Sequence, residues 1–101
     1  SIGWQVLSDY ADFFISCPDY AAAQGMRILG NPMGKDQKIV SGESGAAAFG
    51  AVSEILRNPE LKGLKEALKL DENSKILFFS TEGDTDKENY RRIVWDGLYA
   101  K

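Results

Sequence analysis

The sequence predicts an α/β protein, in which helices flank a mainly parallel sheet in three layers. Short apolar runs suited to buried strands alternate along the chain with longer segments of helical periodicity. The run at 75–79, Lys-Ile-Leu-Phe-Phe, is almost wholly apolar, as is typical of a parallel strand covered on both faces. With 101 residues the chain forms one domain at most. We expect 1–101 to be a single partial domain.

The first strand and helix are predicted near the N-terminus. The apolar run at 13–16 reads as a buried strand. Pro18 then favours a helix start, because the first helical position needs no backbone N–H donor. The helix is expected from Pro18 to Leu29, ending at the Gly-Asn-Pro turn of 30–32.

A second strand is predicted at 38–41, followed by a sharp glycine-containing turn and a helix from Ser44 to Arg57. This helix is apolar or small on every side over 46–52. A helix of that kind is usually buried, and a domain of this size offers little to cover it. We therefore expect it to need partners outside this chain.

The third unit begins at Asn58-Pro59, a cap followed by a proline, which predicts a helix to about Leu70. The strand at 75–79 comes next, and its phenylalanines are expected in the core with those at 13 and 14. A last helix is predicted to begin at Thr85, which forms a capping box with Glu88. Its inner stripe comprises Tyr90, Ile93, Val94 and Gly97.

Composition excludes several classes of function. The net charge of −3 and the absence of a basic patch argue against nucleic-acid binding, and no apolar run approaches the ~20 residues of a membrane span. Histidine is absent and Cys17 is the single cysteine, so an internal disulfide or a cysteine zinc site is excluded and a reducing, cytoplasmic setting is favoured. Cys17 is interpreted as a small buried residue rather than a reactive thiol. Because the chain opens on Ser1 without a signal-peptide pattern, we expect a processed or cut polypeptide.

Two polar turns follow predicted strands, at 41–45 (Ser-Gly-Glu-Ser-Gly) and at 80–84 (Ser-Thr-Glu-Gly-Asp). Ligands of parallel sheets bind at the carboxyl ends of the strands, and free amides at a helix start favour a polar or anionic group. A purely structural turn at 41–45 stays an open alternative. The alternating acids after Ser80 do not form a calcium loop, because Lys87 replaces the required glycine. No metal site is predicted.

Several motifs stand in order along the chain: Cys17-Pro18-Asp19-Tyr20, Gly25 to Leu29, Ser41 to Ala46, Ser80 to Asp86 and Tyr90 to Trp95. Together they resemble the C-terminal part of the diaminopropionate ammonia-lyase family. Similarity to that family implies the fold of the tryptophan synthase β-subunit and threonine dehydratase group, the fold-type II pyridoxal-phosphate enzymes. The implied reaction is α,β-elimination, in which 2,3-diaminopropionate loses its Cα proton and its β-amino group, leaving an aminoacrylate that hydrolyses to pyruvate and ammonia.

The resemblance implies that this segment carries one side of a pyridoxal 5'-phosphate site. Ser80 is expected to hydrogen-bond the pyridine nitrogen, with Thr81 as the alternative if the register shifts by one. Gly42, Glu43 and Ser44 are expected to form a wall of the same site. The residues that do the chemistry, including the Schiff-base lysine and the glycine-rich phosphate loop, belong to earlier parts of such an enzyme, so no catalytic residue is assigned here.

The expected function is therefore that of a C-terminal fragment of a lyase of amino-acid catabolism, inactive by itself. Its expected partners are the remainder of its own enzyme, a second copy in a homodimer and a small amino-acid substrate. The alternative is a free-standing α/β binding or interaction module without catalysis. The apolar helix that starts at Ala46 should distinguish them, since a fragment would expose it and self-associate.

Overall fold

The computed structural model describes residues 17–80 and 83–100. This part of the chain contains four α-helices and a 3₁₀ turn at Pro59–Leu61. The helices predicted at 18–29 and 44–57 are confirmed to within one residue at each end. The last helix begins two residues after the predicted Thr85 and ends before Gly97, and the helix predicted from Asn58 is divided between the 3₁₀ turn and a short α-helix. The helices are α1 (Asp19–Gly30), α2 (Glu43–Arg57), α3 (Lys62–Ala67) and α4 (Lys87–Val94).

Helices α1 and α2 pack with their backbones in direct contact, because glycine occupies the crossing point on both. A β-carbon at Gly25 would lie 2.6 Å from the Ala46 carbonyl oxygen, and one at Gly50 would overlap the Ala21 carbonyl group. Real β-carbons do not approach other atoms that closely. Side chains larger than hydrogen at these two positions would force the helices apart.

The expectation that α2 finds little cover within this chain is wrong for the face that α1 meets. Gly45, Ala46 and Gly50 are buried there because α1 approaches closely, and Ala46 joins the hydrophobic core. The expectation holds for the rest of the small-residue stretch, where Ala47 is half-buried and Ala48 is exposed. Among the described residues, α1 therefore covers only part of this stretch.

Arg27 fixes the end of α4 to α1. Its Nε donates to the Ile93 carbonyl oxygen at 2.8 Å, and its Nη2 donates to the Leu98 carbonyl oxygen. Carbonyl groups in the last turn of a helix have no partner within the helix, so a guanidinium placed there satisfies acceptors that would otherwise need water. The core residue Ile93 is held in place by the same contact.

The predicted strands are not confirmed as a sheet. In the described part of the chain the segments 38–41 and 75–79 carry no ladder of backbone hydrogen bonds, and the predicted strand at 13–16 lies outside it. The two segments nevertheless end side by side, since the hydroxyl oxygens of Ser41 and Ser80 are 2.9 Å apart. The carboxyl ends of the two segments thus meet, as the parallel arrangement requires.

The expectation that both phenylalanines of the third segment lie in the core is wrong for Phe79, which is 77% exposed. Phe78 is half-buried and packs edge-on against Phe49 of α2, with ring centroids 5.4 Å apart. Side chains of an extended chain alternate between two faces. Ile76 and Phe78 line a pocket with residues of α2, while Leu77 and Phe79 are 78% and 77% exposed.

The helix after Asn58 is shorter than predicted, although its start is as expected. The Asn58 side chain accepts from the Glu60 amide and caps the 3₁₀ turn, which leads into α3. The predicted continuation to Leu70 is wrong because Lys69 adopts a left-handed backbone, with φ of 57°. A left-handed residue ends an α-helix and lets later amides reach the last carbonyls.

The predicted capping box at Thr85 is also wrong, by one residue. Asp86 is the N-cap of α4, and its Oδ1 accepts from the Asn89 amide at 3.0 Å. Asp is as good a cap as Thr or better, so the carboxylate wins the position. The predicted inner stripe is confirmed for Ile93, Tyr90 and Val94, whereas Gly97 lies beyond the helix end.

The close helix contact leads to a first prediction. Gly50→Ala should lower the free energy of unfolding by about 2–3 kcal/mol, because the clash is with backbone atoms that cannot rotate away. Gly63→Ala is the matched control, since no described atom lies within 4 Å of its added β-carbon and its φ is not positive. The control should be neutral or slightly stabilising. Urea unfolding followed by circular dichroism measures both, and equal effects would contradict the packing argument.

The correction at α4 leads to a second prediction. Asp86→Ala should destabilise the fold by about 1 kcal/mol through the loss of the cap, whereas Thr85→Ala should leave stability unchanged. Thermal unfolding of the two variants under one buffer measures the difference. A larger loss from the Thr85 variant would restore the capping box.

Tyr90 gives a third prediction. Its hydroxyl is buried and finds no hydrogen-bond partner among the described residues, and burial, followed by the charge of Asp84, raises the pKa of this phenol. The unfolded chain ionises near the ordinary value of about 10, whereas the fold disfavours the phenolate, so the free energy of unfolding falls as pH rises above about 10. Tyr90→Phe should stabilise the protein at neutral pH by about 1 kcal/mol and flatten its stability profile above pH ~10. Denaturant midpoints from pH 7 upward check both, and an unchanged slope would contradict them.

Candidate functional site

The two polar turns of the sequence meet in one place through a pair of serine hydroxyls. Ser41 ends the 38–41 segment and is fully buried, while Ser80 ends the 75–79 segment and is exposed. Their hydroxyl oxygens lie 2.9 Å apart, and either can be the donor. The result is a surface hydroxyl with a second, buried hydroxyl directly behind it.

Gly45, in the first turn of α2, makes room for this hydroxyl pair. A β-carbon at this position would lie 2.6 Å from Ser41 Oγ and 3.1 Å from Ser80 Oγ. The absence of a side chain therefore allows the start of α2 to lie against both hydroxyls. Because the N-terminus of a helix carries a partial positive charge, Ser80 is set in a positive local field.

The other predicted site residues lie around the start of α2. Gly42 is its N-cap, and Glu43 and Ser44 belong to its first turn. The carboxylate of Glu43 accepts a hydrogen bond from the Asn89 side chain of α4, and Ser44 is exposed. The structure thus brings Gly42, Glu43 and Ser44 together at one helix start and places Ser80 against that same turn.

The alternative residue Thr81 lies outside the described residues. Ser80 is described, and its contact with Ser41 gives it a defined place in the site. The choice between Ser80 and Thr81 as the residue that meets the ring nitrogen stays a prediction.

Sequence reasoning missed Ser41 as a functional candidate. It ends a predicted strand and opens the polar turn at 41–45, but the sequence pattern indicates no role of its own for it in the cofactor site. A polar residue at an interior position of a predicted strand indicates a buried hydrogen bond, because a buried hydroxyl needs a partner. The signal does not say which partner, and Ser80 is 39 positions away.

The cysteine and the possible metal ligands are further candidate groups among the described residues. Cys17 is half-buried, with its Sγ 3.9 Å from the Ala47 carbonyl oxygen, so it is less enclosed than the sequence suggests. In the part of the chain that the structure describes, no three His, Cys, Asp or Glu residues cluster as metal ligands. Nor does any helix there combine the length and apolar character needed to cross a bilayer.

Comparison with known proteins connects this geometry to an enzyme class. The relatives that match this chain are diaminopropionate ammonia-lyases. The enzyme from Escherichia coli K12 is 48% identical over 99 residues, covering 98% of this chain, and the enzyme from Salmonella typhimurium LT2 is 42% identical over 100 residues. The aligned region is the C-terminal quarter of these proteins, and the chain spans 25% of their length. No family model matches the chain.

A solved structure agrees with this result and defines the fold. The apo form of the Escherichia coli diaminopropionate ammonia-lyase superposes with a TM-score of 0.93 at 47% identity, covering 98% of this chain and 28% of that chain. The same enzyme in complex with an aminoacrylate-PLP azomethine reaction intermediate gives a TM-score of 0.92 and covers 26% of that chain. The described helices therefore have the arrangement of the matching part of a pyridoxal-phosphate enzyme.

Proposed function

We propose that this chain is the C-terminal part of a diaminopropionate ammonia-lyase and forms the wall of its pyridoxal-phosphate site that faces the pyridine nitrogen. The proposed reaction takes 2,3-diaminopropionate and one water to pyruvate and two ammonia by α,β-elimination. Identity of 48% over 98% of the chain supports the enzyme class. The chain is proposed to supply cofactor contacts but no group that touches the reacting bonds.

The observation that carries this proposal is the Ser41–Ser80 hydroxyl pair at the start of α2. A pyridine nitrogen is a neutral acceptor that requires one donor, and the exposed hydroxyl of Ser80 is such a donor. The missing side chain at Gly45 lets the first turn of α2 lie against both hydroxyls, which places the positive end of the helix beside the proposed cofactor edge. The residues present therefore fit the ring-nitrogen edge of the cofactor.

Pyridoxal phosphate, when bound, supplies an electron sink for the carbanion that forms when the substrate loses its Cα proton. The role of Ser80 is to hold the ring by a neutral hydrogen bond and to leave its nitrogen without a proton. The partial positive charge at the start of α2 acts in the same direction, because it disfavours a second positive charge beside it. A moderate electron sink suits an elimination, since the β-amino group leaves from a carbanion that is not overly stabilised.

The described lysines support the assignment of the Schiff-base residue to another part of the enzyme. All of the described lysines are exposed except Lys65, which is half-buried. Lys38 and Lys75, the lysines of the two segments, lie at the ends opposite Ser41 and Ser80. A lysine that forms an imine needs a place in front of the cofactor, with its charge reduced by burial or neighbours. No described lysine has such a place.

The exposed apolar residues support the proposal that the rest of the enzyme covers this chain. Leu77 is 78% exposed and Phe79 is 77% exposed, on the face of the segment opposite α2. A second layer supplied by the remaining polypeptide would bury this face and complete the predicted three-layer, mainly parallel sheet. A homodimeric assembly is proposed on the resemblance alone, and a cytoplasmic location on the residue composition, which has no histidine and a single cysteine.

The test of this function compares the chain with the full-length protein. Each is incubated with pyridoxal phosphate, reduced with borohydride and analysed by mass spectrometry for a labelled lysine. The full-length protein should show one stoichiometric label, at a lysine outside this chain, and should release two ammonia per pyruvate from 2,3-diaminopropionate. The isolated chain should show neither a stoichiometric label nor turnover.

Two outcomes would contradict the proposal. A stoichiometric label on a lysine of this chain would place the Schiff base here. Full-length protein that forms the imine but leaves 2,3-diaminopropionate unchanged would require a different substrate. As a control for nonspecific imines, the reduction is repeated with protein unfolded in guanidinium, where any label should spread over many lysines.

A further inference from the structure

The hydroxyl pair raises a question about protons that the proposed function leaves open. Each serine hydroxyl carries one proton and can accept up to two hydrogen bonds. If Ser80 donates its proton to Ser41, that proton is not available to a cofactor. Ser80 can donate its proton to the pyridine nitrogen only if Ser41 is the donor in the Ser41–Ser80 hydrogen bond.

The geometry around Ser41 favours that direction. Ser41 Oγ lies 2.9 Å from Ser80 Oγ and 3.4 Å from the carbonyl oxygen of Gly42. Hydroxyl hydrogen bonds have oxygen separations of about 2.5–3.0 Å, so the Gly42 contact is long and the Ser80 contact is of ordinary length. The proton of Ser41 is therefore better placed on Ser80 than on the backbone.

Burial strengthens this argument. Ser41 is fully buried, so bulk water does not compete for its proton. An unmade hydrogen bond is costly in such a place, about 1–3 kcal/mol for a buried polar group. At Gly45 the start of α2 lies directly against both hydroxyls, so the backbone of this turn borders the pair.

We propose that Ser41 is a positioning residue that donates its proton to Ser80 Oγ and so directs the single proton of Ser80 towards the pyridine nitrogen. This inference rests on the proposed function and deepens it. Ser41 does not touch the cofactor, and its effect passes entirely through Ser80. Hydroxyls linked in this way polarise each other, so the Ser80 proton becomes a better donor when Ser41 donates to its oxygen.

The test is a double-mutant cycle on cofactor affinity in the full-length enzyme. Apo-enzyme is titrated with pyridoxal phosphate, and the dissociation constant is read from the visible absorbance of the bound cofactor. Ser41→Ala and Ser80→Ala should each weaken binding about 3- to 10-fold, the range for loss of one neutral hydrogen bond. In the Ser80→Ala background, Ser41→Ala should cause no further loss.

Two additional variants separate proton donation from packing. Ser41→Cys keeps a side chain at the buried position, but a thiol is a weak donor, so it should bind the cofactor nearly as poorly as Ser41→Ala. Ser53→Ala makes the same change in α2, away from the hydroxyl pair, and should leave the dissociation constant unchanged. Circular dichroism of all the variants confirms that the fold is retained.

The outcomes distinguish this inference from the function on which it rests. If Ser41→Ala weakened cofactor binding equally in the wild-type and Ser80→Ala backgrounds, its effect would be structural and independent of Ser80. That result would overturn the positioning role. Recovery by Ser41→Cys, or no effect of Ser41→Ala, would overturn it as well. If Ser80→Ala itself left the affinity unchanged, the ring-nitrogen assignment would fail first and the role of Ser41 with it.

Discussion

The arrangement of this chain depends on the backbone contact between α1 and α2. Two glycines, Gly25 and Gly50, let the helices approach until carbonyl groups occupy the space that side chains would otherwise fill. This contact positions the whole of α2, including the first turn that lies against Ser41 and Ser80. A displacement of α2 along α1 would move that turn relative to the ends of the two extended segments. The geometry of the site is therefore determined by residues that never face it.

The helices were predictable from sequence because local chemistry determines them. Pro18 and the Gly-Asn-Pro turn bound α1, and Asn58 caps the turn that leads to α3. The errors arose where two local signals compete within one or two residues, as for Thr85 and Asp86 at the start of α4. Asp ranks above Thr as a helix cap, and the structure has the Asp86 carboxylate in that position.

The extended segments were less predictable, because a strand is stabilised by partners that are distant in sequence. The apolar pattern of 75–79 predicts a strand with two apolar faces, but it does not say which face this chain itself covers. Phe78 packs against Phe49, whereas Phe79 is 77% exposed. Ser80 could be named from its motif. Its buried partner Ser41 could not, since their contact joins two turns 39 positions apart.

Arg27 has a consequence for the order in which this polypeptide acquires its structure. Its contacts reach Ile93 and Leu98, which are 66 and 71 positions further along the chain. Closing so long a loop is slow, because the chain loses entropy before the contact forms. During synthesis α1 and α2 can pair as soon as both have left the ribosome, whereas Met26 gains its neighbour Ile93 only when α4 emerges. Until then an apolar surface on α1 stays open to solvent, and a chaperone that recognises such surfaces would find it there.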